Sequence, residues 1–219
     1  MKNFFIKTKI FILDATKKIL FFIGFEILRR DTVRYATYTR YKSNKILKNY
    51  CANVSGNVLS IGSANDSDKT GSKYKEYFKN AEDYKTLEYE EGQSDLVADI
   101  QNMPDIKSES YDCIFCIWVL EHVKNVDSAF SEIFRVLKRG GKFIFAVPLN
   151  QVYHGYPRDY WRFSKEDIYE ILKKNNFEIQ KIHKAGKDKD FVLDQKLNFY
   201  GSKVYRGPSG YTCLAIKSK

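Results

Sequence analysis

From residue 57 onward, the chain alternates between short apolar runs and amphipathic segments. The apolar runs have the length and composition of strands, and they cover residues 57–61, 84–88, 95–98, 111–120, 142–147, 177–182 and 211–216. The run 111–120 is almost continuously apolar, which is typical of a strand buried on both faces of a parallel sheet. The alternation predicts an α/β fold with helices on both faces of the sheet.

Helical periodicity lies between these runs. Residues 74–78 predict a short helix, and residues 130–137 place apolar side chains at i, i+3, i+4 and i+7. Gly140-Gly141 predict the end of that second helix, because glycine is the commonest residue after a helix C-terminus. Ser164 to Asp167 have the form of a capping box, which predicts a further helix beginning there.

The first fifty residues have a different character. They contain no proline, many apolar residues, and twelve basic residues against three acidic ones, so they hold +9 of the net charge of +10. This asymmetry predicts a basic, apolar-rich helical extension over residues 1–50 and a nearly neutral body over residues 51–219.

Composition excludes several classes of protein. With 43% apolar and 16% aromatic residues, the chain can bury a core and is not disordered. Its four cysteines are too few and too scattered for a disulfide scaffold, which favours a reducing cytoplasm. No apolar run reaches the roughly 18–20 residues of a membrane span, and no cleavage site of a signal peptide follows the N-terminal apolar stretch.

The residues that follow each predicted strand are candidates for a binding site, because the carboxyl ends of parallel strands meet at one edge. Gly62-Ser63-Ala64 follow the first strand, and a glycine lets the backbone approach a ligand closely. Glu88 ends the second strand, where an acidic side chain can accept both hydroxyls of a ribose. Asp99 follows the third strand and can accept an amino group of a base.

Several of these segments resemble the class I S-adenosylmethionine-dependent methyltransferases, most closely the branch known as methyltransferase type 11. The resemblance lies in residues 58–62, 87–88, 97–100, 111–123 and 132–141. Its most specific part is Leu120-Glu-His-Val123 followed by Arg135-Val-Leu-Lys-Arg-Gly-Gly141. It covers residues 57–148 well and residues 154–185 more loosely.

The resemblance implies a Rossmann-like, seven-stranded, mostly parallel sheet whose last strand is antiparallel. It also implies S-adenosylmethionine as the cofactor. The contacts carried over by position are Gly62, Ser63 and Ala64 at the methionine end, Glu88 at the ribose, Asp99 and Ile100 at the adenine, and Cys116, Ile117 and Trp118 beside the sulfonium.

The glycine motif departs from the family pattern, which usually has two or three glycines. This chain has Gly62-Ser63-Ala64, and because serine and alanine are small, we interpret the motif as a variant of the site. The same departure argues against a nicotinamide-dependent dehydrogenase, which needs the tight G-x-G-x-x-G turn to bind a pyrophosphate.

Candidate catalytic residues lie near the acceptor side of the predicted edge. Methyl transfer from a sulfonium needs a base only when the acceptor must lose a proton, and His154, Asp159, His122 and Tyr160 carry suitable groups. We favour His154, with Asp159, because a histidine ordinarily titrates at about pH 6.5. Two alternatives stay open: His122 braces its helix, and Asp159 fixes its loop by pairing with a neighbouring arginine.

Two further patterns have two interpretations each. The Tyr- and Arg-rich residues 34–41 form either a solvated helix face or a lid, in which Arg34, Tyr38 or Arg40 contacts the cofactor carboxylate. Cys113-x-x-Cys116 resembles a metal or redox pair, but residues three apart on a strand point to opposite faces. We therefore expect no metal.

We expect a cytoplasmic methyltransferase whose acceptor is a small molecule or a glycan or lipid-linked intermediate. Residues 1–30 combine an apolar helix with basic ends, which is typical of segments that lie on a membrane surface, here the inner one. The alternative is that this helix packs on the sheet or on a second copy of the chain in a homodimer.

The sequence leaves two other functions open. An RNA acceptor would use the basic segment to contact phosphates, but residues 116–119 lack the Asn/Asp-Pro-Pro-aromatic motif of base-amino methyltransferases. Nucleic acid therefore ranks below a small molecule. A non-catalytic scaffold that kept the fold and lost the cofactor is motivated by the reduced glycine motif.

Overall fold

The computed structural model describes residues 38–63, 65–92, 94–151, 158–186, 190–192 and 205–218. Its strands are β1 (Ser55–Ile61), β2 (Asn80–Glu88), β3 (Leu96–Val97), β4 (Tyr111–Ile117), β5 (Leu137–Pro148), β6 (Phe177–Ala185), β7 (Asp190–Val192), β8 (Tyr205–Gly207) and β9 (Gly210–Lys217). Its α-helices are α1 (Tyr38–Cys51), α2 (Val126–Val136) and α3 (Lys165–Lys174), with two 3-10 turns at Tyr74–Tyr77 and Leu120–His122.

Seven of the strands form one sheet in the order β3-β2-β1-β4-β5-β9-β6, while β7 and β8 pair as a separate antiparallel ribbon. β9 lies antiparallel between β5 and β6, and the other neighbours in the sheet pair in parallel. Each predicted apolar run forms one strand of this sheet. The predicted seven-stranded, mostly parallel α/β architecture is therefore confirmed.

The sheet is covered on both faces, as predicted. One face packs on α1 and the first 3-10 turn, through buried side chains that include Leu47, Tyr74 and Phe115. The other face packs on α2 and α3, through a cluster that includes Phe130 and Phe143. β4 lies between the two layers and is buried along almost its whole length, which explains its nearly continuous apolar sequence.

The prediction that Gly140-Gly141 end helix α2 is wrong. The helix ends at Val136, and the next residue, Leu137, is already extended and begins β5. Gly140 has φ +72°, and a Cβ on Gly141 would lie 2.8 Å from the carbonyl oxygen of Lys138. The two glycines therefore form part of an irregular turn inside β5. At this turn the register between β5 and β4 shifts.

The predicted capping box of α3 is confirmed. The Ser164 hydroxyl accepts the Asp167 N–H at 3.0 Å, and the Asp167 carboxylate accepts the Ser164 N–H at 2.8 Å. The helix then buries Ile168 and Leu172 against the sheet. This helix begins where the chain leaves the carboxyl edge of the sheet, so its capping box limits where the preceding loop can lie.

A substitution at Gly210 tests the close packing between β5 and β9. A Cβ at this position would overlap the carbonyl oxygen of Val147 and lie 3.0 Å from Cζ3 of Trp118. Because paired strand backbone cannot move away, we expect Gly210→Ala to lower the free energy of unfolding by about 1–3 kcal/mol, measured by urea denaturation. The matched control is Gly92→Ala, whose Cβ would meet nothing within 4 Å. Equal stability of the two variants would contradict this packing.

Candidate active site

A cavity of about 1030 Å³ opens at the carboxyl edge of the sheet, beside the reversal of strand order between β1 and β4. Its wall is formed by residues near or beyond the ends of β1, β2, β3 and β4, together with Lys73, Lys75, Arg158 and Tyr160. Crevices at this position are where open α/β sheets bind their ligands. The wall includes five predicted cofactor-binding residues: Gly62, Glu88, Asp99, Ile100 and Trp118.

Gly62 allows two strand ends to approach closely. It has φ +68°, a conformation that favours glycine, and a Cβ there would overlap the side chain of Val119 beyond β4. Its N–H donates to the carbonyl of Leu87 at 2.8 Å, which holds the end of β1 against β2. Any other residue at this position would combine backbone strain with a steric clash.

The loop after Gly62 is closed by polar side chains rather than by further glycines. Ser63 is buried, and its hydroxyl makes no hydrogen bond with the residues that the structure describes, while Ala64 lies outside them. Asn65 and Asp66 both adopt positive φ, at 62° and 58°, which asparagine and aspartate tolerate better than most residues. The Asp66 carboxylate accepts the Tyr84 hydroxyl at 2.6 Å.

Asp68 anchors the same loop from inside the protein. It is fully buried and accepts the Tyr77 hydroxyl at 2.6 Å, the Thr70 N–H at 2.7 Å and the Ser72 N–H at 3.0 Å. Burial by itself would raise the pKa of Asp68, but these hydrogen bonds lower it below its ordinary value. Sequence reasoning missed this anchor, because its partners come from different turns of the loop.

The predicted nucleoside side of the cavity is formed by β2 and β3. Glu88 is half-buried at the end of β2, and its backbone carbonyl accepts the Ala98 N–H at 3.0 Å. The Asp99 carboxylate accepts the Gln101 N–H at 2.9 Å, so it is held in one orientation. Ile100 is buried in the core beneath this edge and contributes an apolar surface to the wall. The structure therefore brings the three side chains to one cavity.

The three residues predicted beside the sulfonium divide between cavity and core. Cys116 and Ile117 are buried in the core on opposite faces of the sheet, since alternate residues of a strand point in opposite directions. Neither belongs to the described cavity wall. Trp118 does, and it follows the strand with φ +59°. Cys113 lies in the cluster opposite that of Cys116, so this pair of thiols is separated by the sheet, as predicted.

Helix α1 contributes an arginine beside this wall. The guanidinium of Arg40 lies 5.3 Å from the centre of the Trp118 ring, and its Nη1 donates to the Tyr74 hydroxyl at 3.2 Å. The helix itself is bound to the body by buried contacts, including Asn44 Nδ2 to the Asp68 carbonyl at 2.9 Å. Of residues 34–41, those before Tyr38 lie outside the described residues, as does the side chain of Tyr38.

Only some of the predicted catalytic residues lie at the cavity. His154 lies outside the described residues. Asp159 is almost fully buried and forms a bidentate ion pair with Arg162, with one bond of 2.6 Å between Nη2 and Oδ2, so the structure favours its loop-fixing role. His122 lines the cavity, and its Nδ1 lies 2.7 Å from the carbonyl of Arg158. Because a carbonyl only accepts, Nδ1 must carry the proton and Nε2 is the basic nitrogen.

Glu121 precedes this histidine and is fully buried. Burial raises the pKa of its carboxyl from the ordinary value of 4.5 to about 8, the nearby charge of Asp159 adds to the rise, and Arg162 and Arg40 oppose it. The carboxyl is therefore largely protonated at neutral pH. Sequence analysis placed Glu121 in the most family-like block but did not predict its neutral form, which depends on the residues packed over it.

Among the described residues, no three His, Cys, Asp or Glu side chains are grouped closely enough to hold a metal ion. Within the same residues, no helix has the length and apolar character needed to cross a membrane.

Comparison with known families assigns this arrangement to a class of protein. A family model described as a methyltransferase domain matches residues 46–145, which include β1 to β4, α2 and most of β5. This match confirms, over residues 46–145, the resemblance to the methyltransferases predicted from the sequence. No curated protein matches the chain.

Solved structures share the fold at low sequence identity. An S-adenosylmethionine-dependent methyltransferase from Archaeoglobus fulgidus is 15% identical, with a TM-score of 0.55 over 81% of this chain and 94% of its own. The 1,6-didemethyltoxoflavin N1-methyltransferase of Burkholderia thailandensis, solved with S-adenosylhomocysteine, is 14% identical, with a TM-score of 0.53 over 83% and 79%.

A third structure shows how far the fold extends beyond methyl transfer. The 4+2 cyclase SpnF is 14% identical and has a TM-score of 0.59 over 89% of this chain and 86% of its own. Likeness at this level of identity shows a shared fold and does not specify a reaction. The function of this chain therefore has to be argued from its own site.

The buried carboxyl of Glu121 predicts a pH dependence of stability. Between about pH 5 and pH 8 the native state keeps a proton that the unfolded state has lost, so stability falls as the pH rises. We expect Glu121→Gln to remove at least about 2 kcal/mol of this fall, measured by urea denaturation at pH 5 and pH 8. The exposed Glu170→Gln is the control. An unchanged pH dependence in Glu121→Gln would contradict the assignment.

Proposed function

We propose that this protein transfers the methyl group of S-adenosylmethionine to a small-molecule acceptor or to a glycan or lipid-linked intermediate. The observation that carries the proposal is that Gly62, Glu88 and Asp99 line one and the same cavity. These residues end or follow three neighbouring strands, and they combine a close backbone approach with two carboxylates. The methyltransferase domain match covers all three positions.

The residues present fit this cofactor. The missing Cβ of Gly62 leaves backbone accessible at the end of β1, and the buried Ser63 hydroxyl beside it makes no hydrogen bond with a described residue. Glu88 has two carboxylate oxygens for the two ribose hydroxyls, and Ile100 presents an apolar surface for the adenine. The serine and the loop anchored by Asp68 support the interpretation of a variant site rather than a lost one.

When bound, S-adenosylmethionine supplies a methyl group that its sulfonium already activates. The protein then mainly has to hold the acceptor in line and exclude water. Trp118, backed by Arg40, forms an apolar wall for this purpose. If the acceptor is a hydroxyl, Nε2 of His122, which lines the cavity, can remove its proton. His154 is the second proposed base.

Glu88 provides a direct test of cofactor binding. We expect Glu88→Ala to lower the affinity for S-adenosylhomocysteine at least about tenfold, because each hydrogen bond to a charged group contributes about 1.5–3 kcal/mol. Isothermal titration calorimetry measures this effect. Glu82→Ala, an exposed change on the same strand, is the matched control and should bind like wild type.

The outcomes of the calorimetry separate the proposals. Binding by wild type and loss in Glu88→Ala support the enzyme. Absence of binding by wild type at millimolar ligand would favour the non-catalytic scaffold. Equal binding by Glu88→Ala and wild type would remove Glu88 from the ribose site while leaving cofactor binding intact.

The location of the protein is a separate proposal. We infer that residues 1–30 hold the enzyme at the inner membrane surface, which is supported by their apolar stretch with basic residues at its ends. The division into an extension, 1–50, and a body, 51–219, also remains a proposal. The described part of that extension, α1, packs against β5, β6 and β9 and is thus joined to the body.

Vesicle binding tests the membrane proposal. The full chain should co-sediment with vesicles that contain anionic lipids, and deletion of residues 1–30 should abolish most of this binding, because basic residues are attracted to anionic headgroups. Vesicles of neutral lipid are the control and should bind less. Equal sedimentation of the full and the shortened chain would contradict the proposal.

A further inference from the structure

One face of the described structure carries many lysines and few acidic residues. It is formed by helix α1 and by the segment 69–79 that packs beside it. Residues 38–51 contain four basic residues and no acidic one, and residues 69–79 contain four basic residues and one acidic residue. Six lysines of these segments, of which Lys69 is half-buried and the others are exposed, are called the lysine face: Lys45, Lys48, Lys69, Lys73, Lys75 and Lys79.

Helix α1 and the segment 69–79 lie side by side, so their lysines share one surface. Asn44 Nδ2 donates to the Asp68 carbonyl at 2.9 Å. One helical turn later, Lys48 Nζ lies 4.9 Å from the centre of the Tyr77 ring. Because these contacts hold the helix and the segment together at two points, the lysines beside them form a continuous positive surface.

The acidic residues around the lysine face do not neutralise it. Asp66 and Asp68 are buried, and their carboxylates accept tyrosine hydroxyls at 2.6 Å each. Glu76 lies within the face, and the exposed Glu82 and Asp95 border it. None of the six lysines forms an ion pair with a residue that the structure describes. The surface therefore keeps an excess of positive charge.

Helix α1 adds an aromatic residue to this surface. Tyr41, Lys45 and Lys48 have the spacing i, i+4, i+7, which places them on one side of the helix. The tyrosine is 55% exposed. An exposed tyrosine in line with lysines is typical of segments that lie at the boundary between lipid and water.

The chain that enters α1 connects this face to the segment proposed to lie on the membrane. Helix α1 begins at Tyr38, and the eight residue steps from residue 30 span at most about 28 Å. A membrane that holds residues 1–30 is therefore within reach of the first turn of α1. The apolar stretch of residues 1–30 favours a lipid surface over a nucleic acid, because phosphates offer no apolar environment.

We propose that the lysine face binds an anionic phospholipid surface and that this contact orients the enzyme on the membrane. Each lysine near such a surface raises the affinity about fivefold. Arg40, in the first turn of α1, lies on Trp118 of the cavity wall, so a membrane bound along α1 is close to the cavity. Among the proposed acceptors this orientation favours a lipid-linked one, a step that rests on the proposed function.

Removal of charge from α1 tests the lysine face. The full chain is sedimented with vesicles of phosphatidylglycerol and phosphatidylcholine, and the double variant Lys45→Gln/Lys48→Gln should raise the Kd at least about tenfold. Neither lysine lines the cavity. The control, Lys165→Gln/Lys173→Gln, removes the same charge from α3 on the other face of the sheet and should change the Kd by less than about twofold, because distant charges are screened. Circular dichroism establishes that the variants are folded.

A second measurement reports the orientation. Tyr41→Trp and Tyr169→Trp introduce a reporter at two exposed tyrosines, one on α1 and one on α3. Phospholipids with a nitroxide-labelled headgroup quench tryptophan at the membrane surface. The tryptophan at 41 should lose more fluorescence than the one at 169, and wild type, with Trp118 and Trp161, supplies the background.

Several results would overturn the proposal. These are an unchanged Kd in Lys45→Gln/Lys48→Gln, equal weakening in the α3 control, or equal quenching at positions 41 and 169. Binding of single-stranded RNA that is lost in Lys45→Gln/Lys48→Gln, without binding to vesicles, would assign the face to nucleic acid. Failure of wild type to bind S-adenosylhomocysteine contradicts the proposed function alone, whereas vesicle binding that depends only on residues 1–30 contradicts this inference alone.

Discussion

The parallel pairing of β1 with both β2 and β4 is the constraint on which the rest of the molecule depends. Ile61, the last residue of β1, is in register with Leu87 on one side and Cys116 on the other, so three strand ends meet at one edge. The order of the strands reverses between β1 and β4, and connections that leave in opposite directions keep a cavity open there. Gly62 lies at this junction and allows the end of β1 to approach Val119.

Two buried carboxylates, those of Asp66 and Asp68, fix the loop beyond Gly62. Asn65 and Asp66 take the left-handed conformations, and the side chains of Asp66 and Asp68 bind tyrosine hydroxyls from residues that follow. The same loop is bonded to α1 through Asn44. The loop beside the cavity is thus bonded to α1, whose residues 46–51 lie within the matched methyltransferase domain.

The basic residues of the chain lie in two places. Most of the net charge belongs to residues 1–50. Arg40, however, lies on Trp118 beside the cavity, and Lys124 and Arg158 line the cavity itself.

Local patterns in the sequence were sufficient to predict the strands, the capping box of α3 and the positions of Gly62, Glu88 and Asp99, because periodicity and strand ends are short-range features. Other properties depend on contacts between distant residues. Leu137 follows α2 and pairs with Tyr111 of β4. Asp159 is held by Arg162 in a loop that is bonded to Glu121. Cys116 packs in the core, whereas Trp118 lines the cavity. Pairing, burial and the protonation state of a buried carboxyl arise only when those segments meet, so the folded chain alone decides them.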